Sequence, residues 1–412
     1  MNKMKDLLKK IILMSLVTLI VGACQNSEKE NKSLIDSQEI IAEVSEEYAP
    51  DKRVALFNVK AEENEGKLVL KGESNMPEAV NSLKLKLEEK QIAYTDSIKL
   101  LPGEEMKETQ NALVKISVAN LRSNPTHSAE LATQATMGTP LKIFKKEGSW
   151  YLAQTPDKYL AWVDNGGLEP VTNEKLETWL ATPKLIYTKA FGFSYKEARL
   201  DSQEVSDLVA GSIMELLGEQ NQFYEVRYPN GDKAFVEKNA AQPYKEWIAA
   251  LNPSGENLIK TSKSLMGLPY LWGGTSPKGV DCSGYTKTIY FLNGIIIPRD
   301  ASQQVHTGKL VDSTWNFENL IAGDLLFFGR AATDSTAERV IHVGMWIGNN
   351  QFIHSSGNVH ISTFDTTATD FDEANYNRYL RSKRILNRED KDLIYLKNTD
   401  LFTTAEVEEV KM

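Results

Sequence analysis

The segment Val340-Ile341-His342-Val343-Gly344-Met345-Trp346-Ile347-Gly348-Asn349-Asn350-Gln351-Phe352-Ile353-His354-Ser355-Ser356 decides how the C-terminal part of this chain folds. Two β-branched and aromatic runs flank Asn349-Asn350, a turn signal, so the segment reads as a β-hairpin. Side chains alternate faces along a strand, which puts His342 on the face of Gly344 and Trp346. A two-residue loop would send His342 and His354 to opposite faces. A three-residue loop over residues 348–350 pairs His342 with Ser356 and Gly344 with His354. Both histidines then share one face as diagonal neighbours. In that register one imidazole can serve as a base while the other fixes its tautomer and orientation.

Upstream stands Asp281-Cys282-Ser283-Gly284, the start of a predicted helix over residues 281–292 that Asn293-Gly294 closes. Unpaired N–H groups and the helix dipole favour negative charge in a first turn. A thiol there is expected to have a lowered pKa and to act as a nucleophile. By residue type alone a buried structural cysteine is the commoner case. Asp281 has a bland reading as well, the N-cap of its helix. A lone strand histidine is usually a satisfied core or surface residue, but here two share a face downstream of the cysteine. Cys282 as nucleophile, His342 as base and His354 as orienting residue form the candidate catalytic set.

The string Asp-Cys-Ser-Gly, then His-Val-Gly-Met-Trp-Ile-Gly, then Phe-Ile-His-Ser-Ser-Gly resembles the NlpC-type family of papain-like cell-wall peptidases. Pro269-Tyr270-Leu271-Trp272-Gly273-Gly274, Pro298-Arg299-Asp300 and Ala322-Gly323-Asp324-Leu325 extend the likeness over roughly residues 254–386. The resemblance implies a Cys-His-His triad and cleavage of peptidoglycan stem peptides, commonly between D-glutamate and a diamino acid such as meso-diaminopimelate or L-lysine. A narrower group carries two SH3-like domains before the catalytic one. It acts as a γ-D-glutamyl-L-diamino acid endopeptidase on short peptides with a free N-terminal L-alanine, as in murein recycling. That likeness implies substrate-binding roles for Asp281, Ser283, Tyr270, Trp272, Arg299 and Asp300, with Glu130 and Tyr159 contributed by the first SH3-like domain. Asp281 would pair with the substrate ammonium. Ala301 stands where other members often have serine. Tyr270 and Trp272 also suit a plain apolar core, and Arg299 and Asp300 an ordinary surface ion pair.

The rest of the chain fits a multidomain protein. Its 412 residues exceed one ordinary domain. Residues 1–23 read as a lipoprotein signal peptide: basic n-region, apolar residues 11–21, then Gly22-Ala23-Cys24. Lipidation of Cys24 would hold the protein on a membrane outside the cytoplasm, each buried methylene contributing about 0.8 kcal/mol. Residues 24–50 read as a polar tether and 51–110 as a small α+β region. Within that region, residues 77–92 have helical spacing, with Ala79, Val80, Leu83, Leu85 and Leu87 largely on one side.

Residues 111–178 and 179–250 read as two all-β SH3-like barrels. The first is marked by Val118-Ala119-Asn120-Leu121-Arg122-Ser123 and by predicted strands over 114–118, 140–145, 150–155 and 160–163; the second repeats the pattern more loosely. Residues 251–388 form the α+β papain-like catalytic domain and 389–412 a tail. Cys24 and Cys282 are the only cysteines, so no internal disulfide is expected in the mature protein. The formal net charge of −9 argues against nucleic acid. His127, His306 and His360 lack partners at ligand spacing, so neither metal nor cofactor is expected. A monomer is expected. Rival readings are a wall hydrolase on polymeric substrate, an acyl- or amidotransferase on the same scaffold, and a non-catalytic wall-binding lipoprotein.

Overall fold

The computed structural model describes residues 32–404. The leader and Cys24 lie outside the described residues. Among those described, no helix is long and apolar enough to cross a membrane. The chain divides into two compact units, one ending at Gly103 and the other beginning at Glu104.

In the first unit, residues 32–48 are helical, which corrects the tether expected there. Ile40 and Val44 lie four apart on one stripe and are buried with Leu83 and Leu87. The charged residues between them mask that spacing when only average polarity is considered. Strands Phe57–Asn64 and Lys67–Ser74 form an antiparallel hairpin, and Thr95–Leu100 joins the second strand in parallel. Helix Pro77–Glu89 makes the crossover, burying Ala79, Val80, Leu83 and Leu87. Leu85, expected on that side, is exposed.

The second unit opens with two seven-stranded sheets. The first contains strands from Asn111–Val114 to Leu168–Val171, and the second those from Lys184–Tyr187 to Ala241–Pro243. Numbered one to seven in chain order, the strands of the first sheet lie as 7-1-4-5-6-2-3. The second sheet, read from its other edge, has the same order. Each is followed by a helix, Asn173–Ala181 or Tyr244–Ala250, whose Trp179 or Trp247 enters a shared apolar cluster with Phe402. The strand expected over residues 114–118 is the break between two strands, Asn111–Val114 and Val118–Arg122.

The remainder is a six-stranded antiparallel sheet in which Lys309–Asp312, Tyr379–Arg384, Leu325–Arg330, Arg339–Gly348, Gln351–Ser356 and Asn358–Thr363 are successive neighbours. Helix Cys282–Leu292 packs Tyr285 and Ile289 with Leu325, Phe327, Val343, Met345 and Ile353 of that sheet. Helix Gly255–Ser264 precedes it, and Ser254 caps it by accepting from Asn257 N at 3.3 Å. The expected tail is packed as far as it is described. Ile394–Tyr395 pairs with Ile295–Ile296, Leu396 and Phe402 are buried, and Asp390 accepts from Gly308 N.

Candidate active site

The site starts from the cap of the nucleophile helix, Cys282–Leu292. Asp281 has extended backbone, and its Oδ1 accepts from Gly284 N at 2.7 Å. Gly284 is required by space, because a Cβ there would stand 1.9 Å from the Gly274 carbonyl oxygen. The motif glycine therefore lets the first helical turn lie against the Trp272-Gly273-Gly274 segment.

Asp281 is also the hub of a buried network. Arg299, 1% exposed, donates to its Oδ2 at 2.5 Å and its Oδ1 at 3.1 Å. Ser283 Oγ donates to Oδ1 at 3.1 Å and Gly273 N to Oδ2 at 3.0 Å. Five donors, Gly284 N included, fill two carboxylate oxygens. Asp281 thus organises the cap of the nucleophile helix and the clamp from Arg299 before any substrate role. Arg299 is likewise a buried clamp on Asp281, so its guanidinium is not an open wall of the cleft.

Cys282 is buried, and its thiol is pushed up to about 12. Burial is the main cause and the Asp281 carboxylate the next; N–H bonds from Val343 and Ser283 pull the other way. The expectation of a lowered pKa is thus reversed in the resting site. Desolvation of the thiolate outweighs the helix N-terminus there. The ladder between Arg339–Gly348 and Gln351–Ser356 ends at Met345↔Ile353, and the Val343 N–H beyond it turns to the thiol.

The two histidines come together as the hairpin register demands. His342 Nε2 and His354 Nδ1 are 2.8 Å apart, both side chains buried. The turn itself has two residues, Asn349 and Asn350, both at positive φ, while Gly348 pairs with Gln351. A bulge between Trp346 and Gly348 restores the register of the expected three-residue loop. His354 Nε2 lies 3.0 Å from Ser362 Oγ and 3.8 Å from Asp372 Oδ2. If His342 Nδ1 is to accept a proton, Nε2 carries the hydrogen and donates to His354 Nδ1. His354 then carries its own hydrogen at Nε2 and donates to Ser362. Burial lowers His342 to about 3 and His354 to about 2, so both are neutral at rest.

Ser362 and Asp372 escaped the sequence reading, and His360 was set aside there as lacking partners. His360 sits with its ring 4.5 Å from that of His354. The signal was the alternation Val359-His360-Ile361-Ser362 after the Gly357 turn, which extends the hairpin by a third strand.

Two residues of the first seven-stranded sheet reach this region. Trp272 is 62% exposed, not a core aromatic, and its indole N–H donates to Glu130 Oε1 at 2.6 Å. Tyr159 donates from its hydroxyl to Asp300 Oδ2 at 3.2 Å. Tyr270 is half-buried, and its hydroxyl is pushed up to about 12 by burial and then by Cys282 and Asp281. Gly273, at positive φ, lets the two parts touch through backbone; a Cβ there would stand 2.1 Å from the Leu131 carbonyl oxygen.

Comparison with known proteins bears on the family and the fold. The NlpC/P60 family profile matches residues 267–380, and a bacterial SH3 domain profile matches residues 117–169. A gamma-D-glutamyl-L-lysine dipeptidyl-peptidase of Bacillus cereus is 36% identical over 240 residues, 56% of this chain and 68% of that protein. Dipeptidyl-peptidase 6 of Lysinibacillus sphaericus is 28% identical over 267 residues, 62% of this chain and 92% of that protein. A crystal structure of an NlpC/P60 family protein from Bacillus cereus superposes with a TM-score of 0.56 at 28% identity, covering 67% of this chain and 99% of that one.

Proposed function

The chain belongs to the NlpC/P60 family, and on that premise we propose that it is a cysteine peptidase that hydrolyses the γ-D-glutamyl–diamino acid bond of peptidoglycan stem peptides. Its preferred substrates are short peptides with a free N-terminal L-alanine. The relatives named gamma-D-glutamyl-L-lysine dipeptidyl-peptidase support the bond. One observation carries the free-amine preference: Glu130 and Tyr159, from a separate sheet, meet Trp272 and Asp300 of the catalytic part. Two carboxylates and a hydroxyl suit an alkylammonium, and Asp281, whose oxygens are filled, is not needed for it.

In the reaction, Cys282 Sγ attacks the γ-carbonyl carbon while His342 Nδ1 takes the thiol proton. His342 then gives that proton to the departing amine, leaving a thioester that water hydrolyses. With a protonated thiol and neutral histidines at rest, proton transfer accompanies attack rather than preceding it. His354 and Ser362 hold the base's tautomer. The first-turn amides of the nucleophile helix favour the developing oxyanion.

In this reading the signal sequence delivers the protein outside the cytoplasm and lipidated Cys24 anchors it to a membrane. The leader's basic and apolar pattern supports that placement.

The test is a digest of L-Ala-γ-D-Glu-L-Lys, its meso-diaminopimelate counterpart, their N-acetylated forms and intact sacculi, with products identified by mass. Release of L-Ala-D-Glu from the free tripeptides alone is the expected result. Equal cleavage of free and acetylated forms would replace this reading with that of a general wall hydrolase.

A further inference from the structure

Behind the nucleophile, the same helix carries a cation that the chemistry does not use. Lys287 follows Cys282 by five residues, a rise of about 7.5 Å along the helix. Its Nζ lies 2.5 Å from Asp157 Oδ2, with side chains 14% and 3% exposed. Asp157 belongs to the loop between strands Trp150–Gln154 and Leu160–Asp164 of the first sheet. Its second oxygen, Oδ1, accepts from Thr155 Oγ1 at 2.7 Å. That loop is closed by Thr155 N donating to the Tyr159 carbonyl and Lys158 N to that of Thr155, with Lys158 at positive φ. Asp157 therefore sets the shape of the loop with one oxygen and ties it to the nucleophile helix with the other.

Two residues beyond Asp157 stands Tyr159, whose hydroxyl bonds Asp300. Lys287 and Asp157 also line a cavity of about 70 Å³ at this junction, with Gln134, Thr136, Thr288 and Phe402 among the other walls. No packed side chain fills that space, so the ion pair is a direct tie across a partly open seam. A buried pair of this kind is demanding of both partners, because removing one strands the other charge away from water.

We propose that the Lys287–Asp157 pair is a positioning latch: it fixes the loop that presents Tyr159 to the substrate amine, and so sets selectivity for a free N-terminus without entering the chemistry. The inference rests on the free-amine reading above. Lys287 and Asp157 are positioning residues, since neither is assigned a contact with substrate.

The experiment uses the full chain and the L-Ala-γ-D-Glu-L-Lys tripeptide, free and N-acetylated. Lys287→Gln removes the charge at similar volume. The expected result is a KM for the free tripeptide raised about tenfold, with kcat within about twofold and a matching loss of free-over-acetylated preference. Alkylation of Cys282 by iodoacetamide at pH 9 should keep its wild-type rate. Lys287→Arg should restore part of the preference. The Lys287→Gln/Tyr159→Phe double variant should be no less selective than Tyr159→Phe alone, because the two changes remove one function. Where Lys287→Gln does not fold, Asp157→Asn reads the same tie from the loop side.

Intact selectivity in folded variants, multiplicative losses in the double variant, or a changed alkylation rate would each overturn the latch. A wild-type protein without free-amine preference would sink the underlying substrate reading instead, before any variant is made.

Discussion

The two seven-stranded sheets share a strand order and differ in what their loops bind. In the first, the loops after the second and fifth strands bond outward: Glu130 to Trp272, Asp157 to Lys287 and Tyr159 to Asp300. In the second, the corresponding loops bond to themselves. Arg199 pairs with Glu197 and Asp201, Lys196 N donates to the Gln203 carbonyl, and Asn230 pairs with Asp232. The second sheet instead reaches the rest of the unit from a strand, where Asp207 pairs with Lys278 Nζ at 2.6 Å, and through backbone. Its Gly211 carbonyl accepts from Thr136 Oγ1, Ile213 N donates to the Met137 carbonyl, and Gly211 leaves room for Phe291 of the nucleophile helix. One copy of the topology bonds the catalytic part through loop side chains, and the other braces it from a strand and through backbone. The bacterial SH3 domain profile matches the first stretch, residues 117–169. Topology thus survives where loop chemistry does not, and the role follows the loops.

That contrast can be broken at several points. The largest effects belong to neither sheet. Cys282→Ala should lower kcat by about 10⁶-fold, and His342→Ala by about 10⁴-fold. His354→Ala should cost less than His342→Ala, because it orients the base rather than moving the proton. Steady-state turnover of the free tripeptide measures all three, and an unchanged rate in folded Cys282→Ala would end the cysteine-peptidase reading.

Next come the first sheet's own residues. Glu130→Gln and Tyr159→Phe should each reduce the preference for a free over an acetylated N-terminus by about 10–100-fold, with little change in kcat. If both keep full preference, the first sheet is a brace like the second.

The pH behaviour gives effects of similar size. The raised Cys282 pKa predicts iodoacetamide alkylation that climbs about tenfold per pH unit above neutrality and does not plateau near pH 7. The lowered histidines act on stability with the opposite sense of pH. Above their ordinary value of 6.5 both folded and unfolded states are neutral, and nothing is lost. Below it the unfolded chain takes protons that the buried imidazoles refuse, so stability falls between pH 6.5 and about 3. Denaturant midpoints across that window, compared with His342→Phe, measure the contribution.

The smallest expected effect is the most telling for the comparison. Arg199→Ala, in a second-sheet loop, should change kcat/KM by less than about twofold and leave the denaturant midpoint unchanged. A tenfold kinetic loss would show that the second sheet also reaches the substrate.

The hairpin was readable because period-two alternation, a turn signal and two histidines allow few registers. Even so, a two-residue turn with a bulge at Ile347 gives the same pairing as a three-residue loop, so local sequence did not separate them. The helix cap at Asp281 and the glycine at Gly284 were visible as a motif. The charge state of the thiol was not, because burial of Cys282 depends on Val343 and Ile353, which arrive from distant segments. Arg299 read equally well as a surface ion pair, since only the fold decides that its partner is Asp281 and that both are buried. The helix over residues 32–48 and the packed segment at Phe402 were hidden for a related reason. A few apolar residues in polar stretches were enough to dock each one, and composition averages them away.

The contact at Gly273 has a consequence for how this cleft can change over time. The gap between the first sheet and the catalytic part is gauged by main-chain atoms, the Leu131 carbonyl lying where any Cβ at position 273 would have to go. Side-chain drift can alter the lining at Glu130, Tyr159 or Trp272 while the spacing stays constant. With Glu130 and Tyr159 binding substrate as proposed, its choice can be retuned one residue at a time against a fixed ruler, whereas a single methyl on that ruler would pry the two parts open together.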